Sequence, residues 1–245
     1  MLANVLNTKK VFIFDMDGTL IDSLGIWSGT DSIIIKETTG VDIDPKDIGY
    51  IRDKFLAECQ SDRPYYDFVL YIKEKFNIPY DIESLIEYRK TVWSQLLKSL
   101  KLKPYAYELL ALLKSMGYTI CLATTGAKDS VHRILYEIEE TKVLNDNIFD
   151  VMLDQSKIRN LKPAPDIHLK LKEILKFNNE DAIIIEDSLV GLDAARNAGI
   201  DCIIVKEKHH TNQDEIKINA QIYVDSLEEI YNLMLKIAKN SPKLR

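Results

Sequence analysis

The chain has 245 residues, 46% of them hydrophobic and 29% charged, with a formal net charge of -6. That balance calls for a sizeable folded core and argues against disorder. No apolar run reaches the ~18 residues of a membrane span, and Lys and Arg are scattered among acidic neighbours, which argues against a membrane or nucleic-acid partner.

The first informative stretch is Lys9 to Ser23, KKVFIFDMDGTLIDS. Val11 to Phe14 has the composition of a strand buried on both faces of a parallel sheet. Asp15 and Asp17 follow, one residue apart, so an extended chain projects both carboxylates to the same side. Gly18 lets the backbone turn or approach a ligand closely, and Thr19 offers a hydroxyl and an amide, a set suited to an anion with a divalent cation. Read alone, Asp-Gly is equally a tight turn.

From Ile26 to about Leu97 strand-like runs vanish and helical periodicity takes over, with helices expected over 26–38, 45–59, 64–76 and 82–100. Strand and helix alternate from Pro104 onward. A helix over 105–116 stops at Gly117, and a strand over 118–123 delivers Thr124 and Thr125. A helix over 128–140, an apolar segment over 148–153, a loop carrying LKPAPD and a helix over 166–176 come next. A buried strand over 182–185 then runs into Glu186 and Asp187, followed by a helix over 188–198, a strand over 202–205, a short strand over 221–224 and a helix over 227–238. The pattern is α/β: a Rossmann-like parallel sheet flanked by helices, with an inserted all-helical cap domain. Core segments are expected at 1–22 and 100–245, and the cap at 23–99. Cys59, Cys121 and Cys202 lack metal-ligand or disulfide spacing and read as buried thiols of a cytoplasmic protein. His209 and His210 read as a solvated loop, because chain neighbours rarely face one ion.

In a parallel sheet the carboxyl ends of the strands lie along one edge, where ligands bind. Asp15 and Asp17, Thr124, and Glu186 and Asp187 therefore converge. The acids supply hard oxygen ligands fit for magnesium that keeps water and shares a phosphate. Lys162 adds a fixed positive charge, and Thr124, with Thr125 and the amides of the turn, can bind phosphate oxygens. One carboxylate can attack phosphorus, while the other shuttles protons to the leaving oxygen and from water. Singly, each residue has a plainer use as turn, helix cap or surface charge. Two acidic pairs at one sheet edge, however, repel unless a cation lies between them.

DMDGT at Asp15 to Thr19, LATTG at Leu122 to Gly126, KPAPD at Lys162 to Asp166 and EDSLVGLDAARNAG at Glu186 to Gly199 resemble, in order, the motifs of the haloacid dehalogenase-like hydrolase superfamily. The similarity is to the branch of β-phosphoglucomutase-like phosphatases. It implies Asp15 as nucleophile and Asp17 as general acid/base, with Gly18, Thr19, Thr124, Thr125 and Lys162 at the phosphate. It implies magnesium held by Asp15, the Asp17 backbone carbonyl and Asp187, with Glu186 as ligand or supporting partner. Gly49 and Arg52 resemble the cap's substrate-facing turn. The implied activity is hydrolysis of a small phosphorylated metabolite, a sugar phosphate or nucleotide-like phosphomonoester, by a monomer through an aspartyl phosphate. The alternatives are a sugar phosphomutase, against which Ile26 and Trp27 stand where mutases carry a His, and a non-catalytic phosphate sensor.

Overall fold

A computed structural model describes residues 2–59, 61, 63–145 and 147–240, so the outermost residues of the expected core segments, 1 and 241–245, lie outside the described residues. In chain order the elements are α1 (Leu2–Thr8), β1 (Val11–Phe14), α2 (Leu24–Thr39), α3 (Pro45–Glu58), α4 (Pro64–Lys75), α5 (Ile82–Leu96), α6 (Ala106–Ser115), β2 (Thr119–Ala123), α7 (Lys128–Tyr136), β3 (Val151–Leu153), α8 (Asp166–Leu175), β4 (Ala182–Glu186), α9 (Leu189–Ala198), β5 (Asp201–Val205), α10 (Gln213–Asn219), β6 (Ile222–Val224) and α11 (Leu227–Asn240). They form two compact units. One comprises the segments up to Asp22, Lys101–Glu207 and from Asn212 on; the other comprises Ser23–Leu100 and Lys208–Thr211.

The first unit is a six-stranded sheet in the order β3-β2-β1-β4-β5-β6, every pairing parallel. β1 is central, Phe14 standing level with Leu122 of β2 and Ile185 of β4. Successive side chains alternate faces. Val11, Ile13, Cys121, Ala123, Ala182, Ile184, Cys202 and Ile204 pack with Ile167 and Leu171 of α8, Leu192 and Ala195 of α9 and Ile216 of α10. The alternate residues Phe12, Phe14, Ile120, Leu122, Ile183 and Ile185 are equally buried. Each fully buried large side chain contributes about 1.5–3 kcal/mol, which makes the sheet the stability centre of this unit.

The chain leaves β1 in one direction for β2 and β3, then returns to place β4 on the other side of β1. The carboxyl ends of β1 and β4 thus flank a topological switch point, where the connections diverge and leave a crevice. The fold puts Asp15 and Glu186 there.

The second unit buries Ile34 and Ile35 of α2, Ile48 of α3, Val69 of α4, and Leu85 and Val92 of α5 against one another. Inside it the carboxylate of Asp31, 1% exposed, takes both Nε (2.7 Å) and Nη2 (3.1 Å) of Arg89. Asp44 and Asp81 cap α3 and α5 by accepting from Lys46 N and Ser84 N. Among the described residues no helix is long and apolar enough to cross a membrane.

Most expected elements agree with the observed ones within the usual one or two residues. Helix α7 stops at Tyr136, short of the expected 140, because the buried Thr141 hydroxyl donates to the Ile134 carbonyl and closes the last turn. The segment over 148–153 yields a strand only from Val151, and the Asp150 carboxylate instead accepts from Ile120 N at 2.8 Å. Cys121 and Cys202, on strands, are buried free thiols, whereas Cys59, just past the end of α3, is a free thiol only half-buried. Burial pushes the Cys121 thiol up to about 12, so it stays protonated.

Candidate active site

Beyond the last ladder residue of β1, the Asp15 amide still donates to the Ile185 carbonyl at 3.0 Å, so strand geometry carries the Asp15 side chain to the sheet edge. The chain then turns. Gly18 N donates to the Ile21 carbonyl at 2.9 Å, and Gly18 takes φ +87°, a conformation that strongly favours glycine. A Cβ there would also lie 2.3 Å from Asp187 Oδ2, so the turn and the carboxylate fit only with glycine. Thr19, fully buried, donates from Oγ1 to Asp187 Oδ1 at 2.8 Å.

Lys162 reaches this edge from the loop between β3 and α8. Its Nζ donates to Asp15 Oδ1 (2.6 Å), Glu186 Oε1 (2.7 Å) and the Ala123 carbonyl at the end of β2 (2.9 Å). Three acceptors match the three hydrogens of an ammonium, so the lysine is fixed across β1, β2 and β4. Burial would favour its neutral form, but the Asp15 and Glu186 carboxylates outweigh that and hold its pKa above the usual lysine value.

Glu186 is held on both oxygens. While Oε1 takes Lys162, Oε2 accepts from Asp187 N (3.0 Å), Ser188 N (3.2 Å) and Ser188 Oγ (3.0 Å). Ser188 in turn accepts from Gly191 N at 3.0 Å and so also caps α9. Burial works against the Glu186 carboxylate, yet Lys162 and these amides hold its pKa below the ordinary value. The Asp15 carboxyl lies well above the usual range, chiefly through burial, with Glu186 and Asp187 adding repulsion that Lys162 only partly offsets.

One oxygen each from Asp15, Glu186 and Asp187 can be chosen so that all lie within 4.8 Å of one another, and all three residues are buried. This donor set fits a hard divalent cation. Lys162 bonds two of these carboxylates, Asp15 and Glu186, and the repulsion that Glu186 and Asp187 add to the burial of Asp15 is what such a cation would neutralise.

The structure brings Asp15, Thr19, Lys162, Glu186 and Asp187 into one hydrogen-bonded group. Asp17, half-buried, lies in the turn after β1. Thr124, buried at the end of β2, accepts from Gly126 N at 3.0 Å, with Thr125 half-buried beside it. Gly49 and Arg52 lie on α3 in the helical unit. Arg52 is buried, its Nη1 3.3 Å from Ser28 Oγ and its Nη2 3.4 Å from Asp53 Oδ1. Sequence reasoning did not find the Ala123 carbonyl or the part of Ser188 in holding Glu186. It also assigned nothing to His168, which is fully buried with neither ring nitrogen hydrogen-bonded among the described residues. Burial, then Lys162, lowers that imidazole's pKa to about 3, so it is neutral.

Comparison with known proteins places the chain in a family. The family model described as haloacid dehalogenase-like hydrolase matches residues 12–205. A phosphorylated carbohydrates phosphatase of Thermotoga maritima is 31% identical over 152 residues, 62% of this chain and 66% of that protein. Hexitol phosphatase B of Escherichia coli K12 is 25% identical, with 89% of this chain and 92% of that protein covered. Other curated relatives are matched over 9% and 52% of their own length. The crystal structure of β-phosphoglucomutase from Clostridium difficile superposes with a TM-score of 0.66 at 24% identity, over 95% of this chain and all of that one, and shares the fold. With its motifs, its strand order and a model match running from β1 to β5, the chain belongs to the haloacid dehalogenase-like hydrolase family.

Proposed function

We propose that the chain is a magnesium-dependent phosphatase that hydrolyses a small phosphorylated metabolite through an aspartyl phosphate. The observation that carries this reading is the seat of Asp15: a carboxylate at the switch point, bonded to Lys162 and within reach of Asp187 and Glu186. Asp15 and Asp187, with the Asp17 carbonyl, would hold the cation; Glu186, engaged on both oxygens, orients Lys162 and the start of α9. A bound magnesium ion would supply charge neutralisation at the phosphoryl oxygens.

The residues divide the work. An Asp15 oxygen attacks phosphorus and the ester bond to the leaving oxygen breaks, while Asp17 gives that oxygen its proton. Lys162 and the Thr124 and Thr125 turn hold the non-bridging oxygens as charge redistributes. Asp17 then takes a proton from water, which attacks the aspartyl phosphate, releases inorganic phosphate and restores Asp15. The helical unit serves as the cap that selects the leaving group, Gly49 and Arg52 being its candidate recognition residues. The names of the two phosphatase relatives support a sugar- or polyol-phosphate class.

Asp15→Asn is the direct test. Phosphate release from an aryl phosphate with magnesium should fall below detection while the circular dichroism spectrum is retained; native turnover in that variant would overturn the mechanism.

A further inference from the structure

Lys208–Thr211 belongs to the helical unit although its chain neighbours Glu207 and Asn212 belong to the α/β unit. It is not a fully solvated loop, since His209 and His210 are half-buried. One helical glycine makes room for it, and a second lies within van der Waals reach of it. A Cβ on Gly25 of α2 would stand 2.9 Å from His209 Nε2, and one on Gly49 of α3 would stand 3.9 Å from the His209 carbonyl and 3.3 Å from Ser28 Oγ. Glycine inside a helix costs about 1 kcal/mol relative to alanine, so α2 forgoes stability where this segment docks.

Alongside it lies an incomplete polar contact. Asp53 of α3 presents Oδ1 to Arg52 Nη2 at 3.4 Å, while its Oδ2 is buried and accepts no hydrogen bond among the described residues. His210 Nδ1 is 3.8 Å from that oxygen. Arg52 on α3 contacts Asp53, and the titratable groups next to His210 in the chain are Lys208 and His209. A buried carboxylate oxygen without a donor is costly, and an imidazolium that moves about 1 Å closer supplies a charge-assisted bond.

We propose that His210 and Asp53 form an acid-closed latch that holds Lys208–Thr211 on the helical unit. Histidine is the side chain suited to a charge change in the physiological range, so the latch is closed when His210 is protonated and loosened when it is neutral. Its consequence is a stretch of backbone, entered from the α/β unit and returning to it, whose attachment to the helical unit follows pH. The proposal stands apart from the assignment of the catalytic residues.

Hydrogen exchange of the full chain at pH 5.5 and 8.0, corrected for intrinsic rates, tests it. Amides of 208–211 should be protected about threefold more at the lower pH, the scale of one ion pair. His210→Gln should abolish that difference, and His210→Lys, charged at both pH values, should keep the protection at both. In a histidine NMR titration, Asp53→Asn should lower the pKa of His210, a measurement that decides the matter even if a His210 variant fails to fold. Protection in the native chain that ignores pH, a pH difference surviving in His210→Gln, or a His210 titration unmoved by Asp53→Asn would each overturn the latch.

Discussion

Thr19 and Asp187, 168 residues apart, meet in a buried hydrogen bond of 2.8 Å that ties the turn after β1 to the end of β4. The bond fixes which way an Asp187 oxygen points, and so the shape of the proposed cation seat. Thr19→Val keeps the side-chain volume and removes the donor. The expected result is a loss of about 1–3 kcal/mol in urea unfolding, from a lost hydrogen bond to a buried carboxylate. A magnesium titration of phosphatase activity should show half-saturation at about 10–100-fold higher metal, the usual effect of removing a group that orients a ligand.

The raised pKa of Asp15 gives stability a definite pH dependence. In the folded chain Asp15 retains its proton above the pH at which the unfolded chain releases it. The stability it contributes is therefore fully present below the ordinary carboxylate range and is lost as pH rises through the folded-state value. Asp15→Asn keeps the hydrogen-bonding shape without the charge. In metal-free buffer at pH 7.5 it should melt above the native chain, by about 3 °C for each kcal/mol of relieved repulsion in a chain of this size. The gap should close toward pH 4 and shrink in the presence of magnesium. A gap that widens as pH falls would contradict the electrostatic account.

In the helical unit, Asp31 is buried with its carboxylate bound through both oxygens by Arg89. Arg89→Ala leaves that charge without its counter-ion, and breaking such a pair costs about 3–5 kcal/mol. Asp31→Asn with Arg89→Met removes both charges and should recover most of the loss. Chemical denaturation of the three proteins, compared as a double-mutant cycle, checks both statements.

Legibility in the sequence followed burial. Val11–Phe14 and Ala182–Ile185 could be read because strands covered on both faces carry uninterrupted apolar runs. Their parallel alignment then brought Asp15 and Asp187 together without further information. Helices α1 and α10 escaped because each is seven residues long and buries a single side chain, Leu6 and Ile216, too little for a periodic signal. His209 and His210 read as solvated because the residues they meet, Gly25 and Asp53, lie more than 150 positions earlier in the sequence. The support of Glu186 by Ser188 was hidden for a related reason: a serine before a helix is sufficiently explained as its cap.

Gly191 separates local from tertiary causes by the sign of one substitution. It sits within the first turn of α9, where helix propensity alone makes alanine more favourable by about 1 kcal/mol. Its φ is not in the left-handed region, so the backbone itself admits a side chain. A Cβ there would nevertheless fall 1.9 Å from Glu186 Cδ and Oε1, and Glu186 cannot retreat without giving up Lys162 and the amides of Asp187 and Ser188. Gly191→Ala should therefore destabilise the fold by about 1–3 kcal/mol, the cost of overpacking a well-filled site. It should also lower kcat more than it raises KM, because Lys162 shifts with its partner. Thermal melts and steady-state kinetics read these outcomes, and a stabilised Gly191→Ala with native turnover would mean that Glu186 is not held in the seat described.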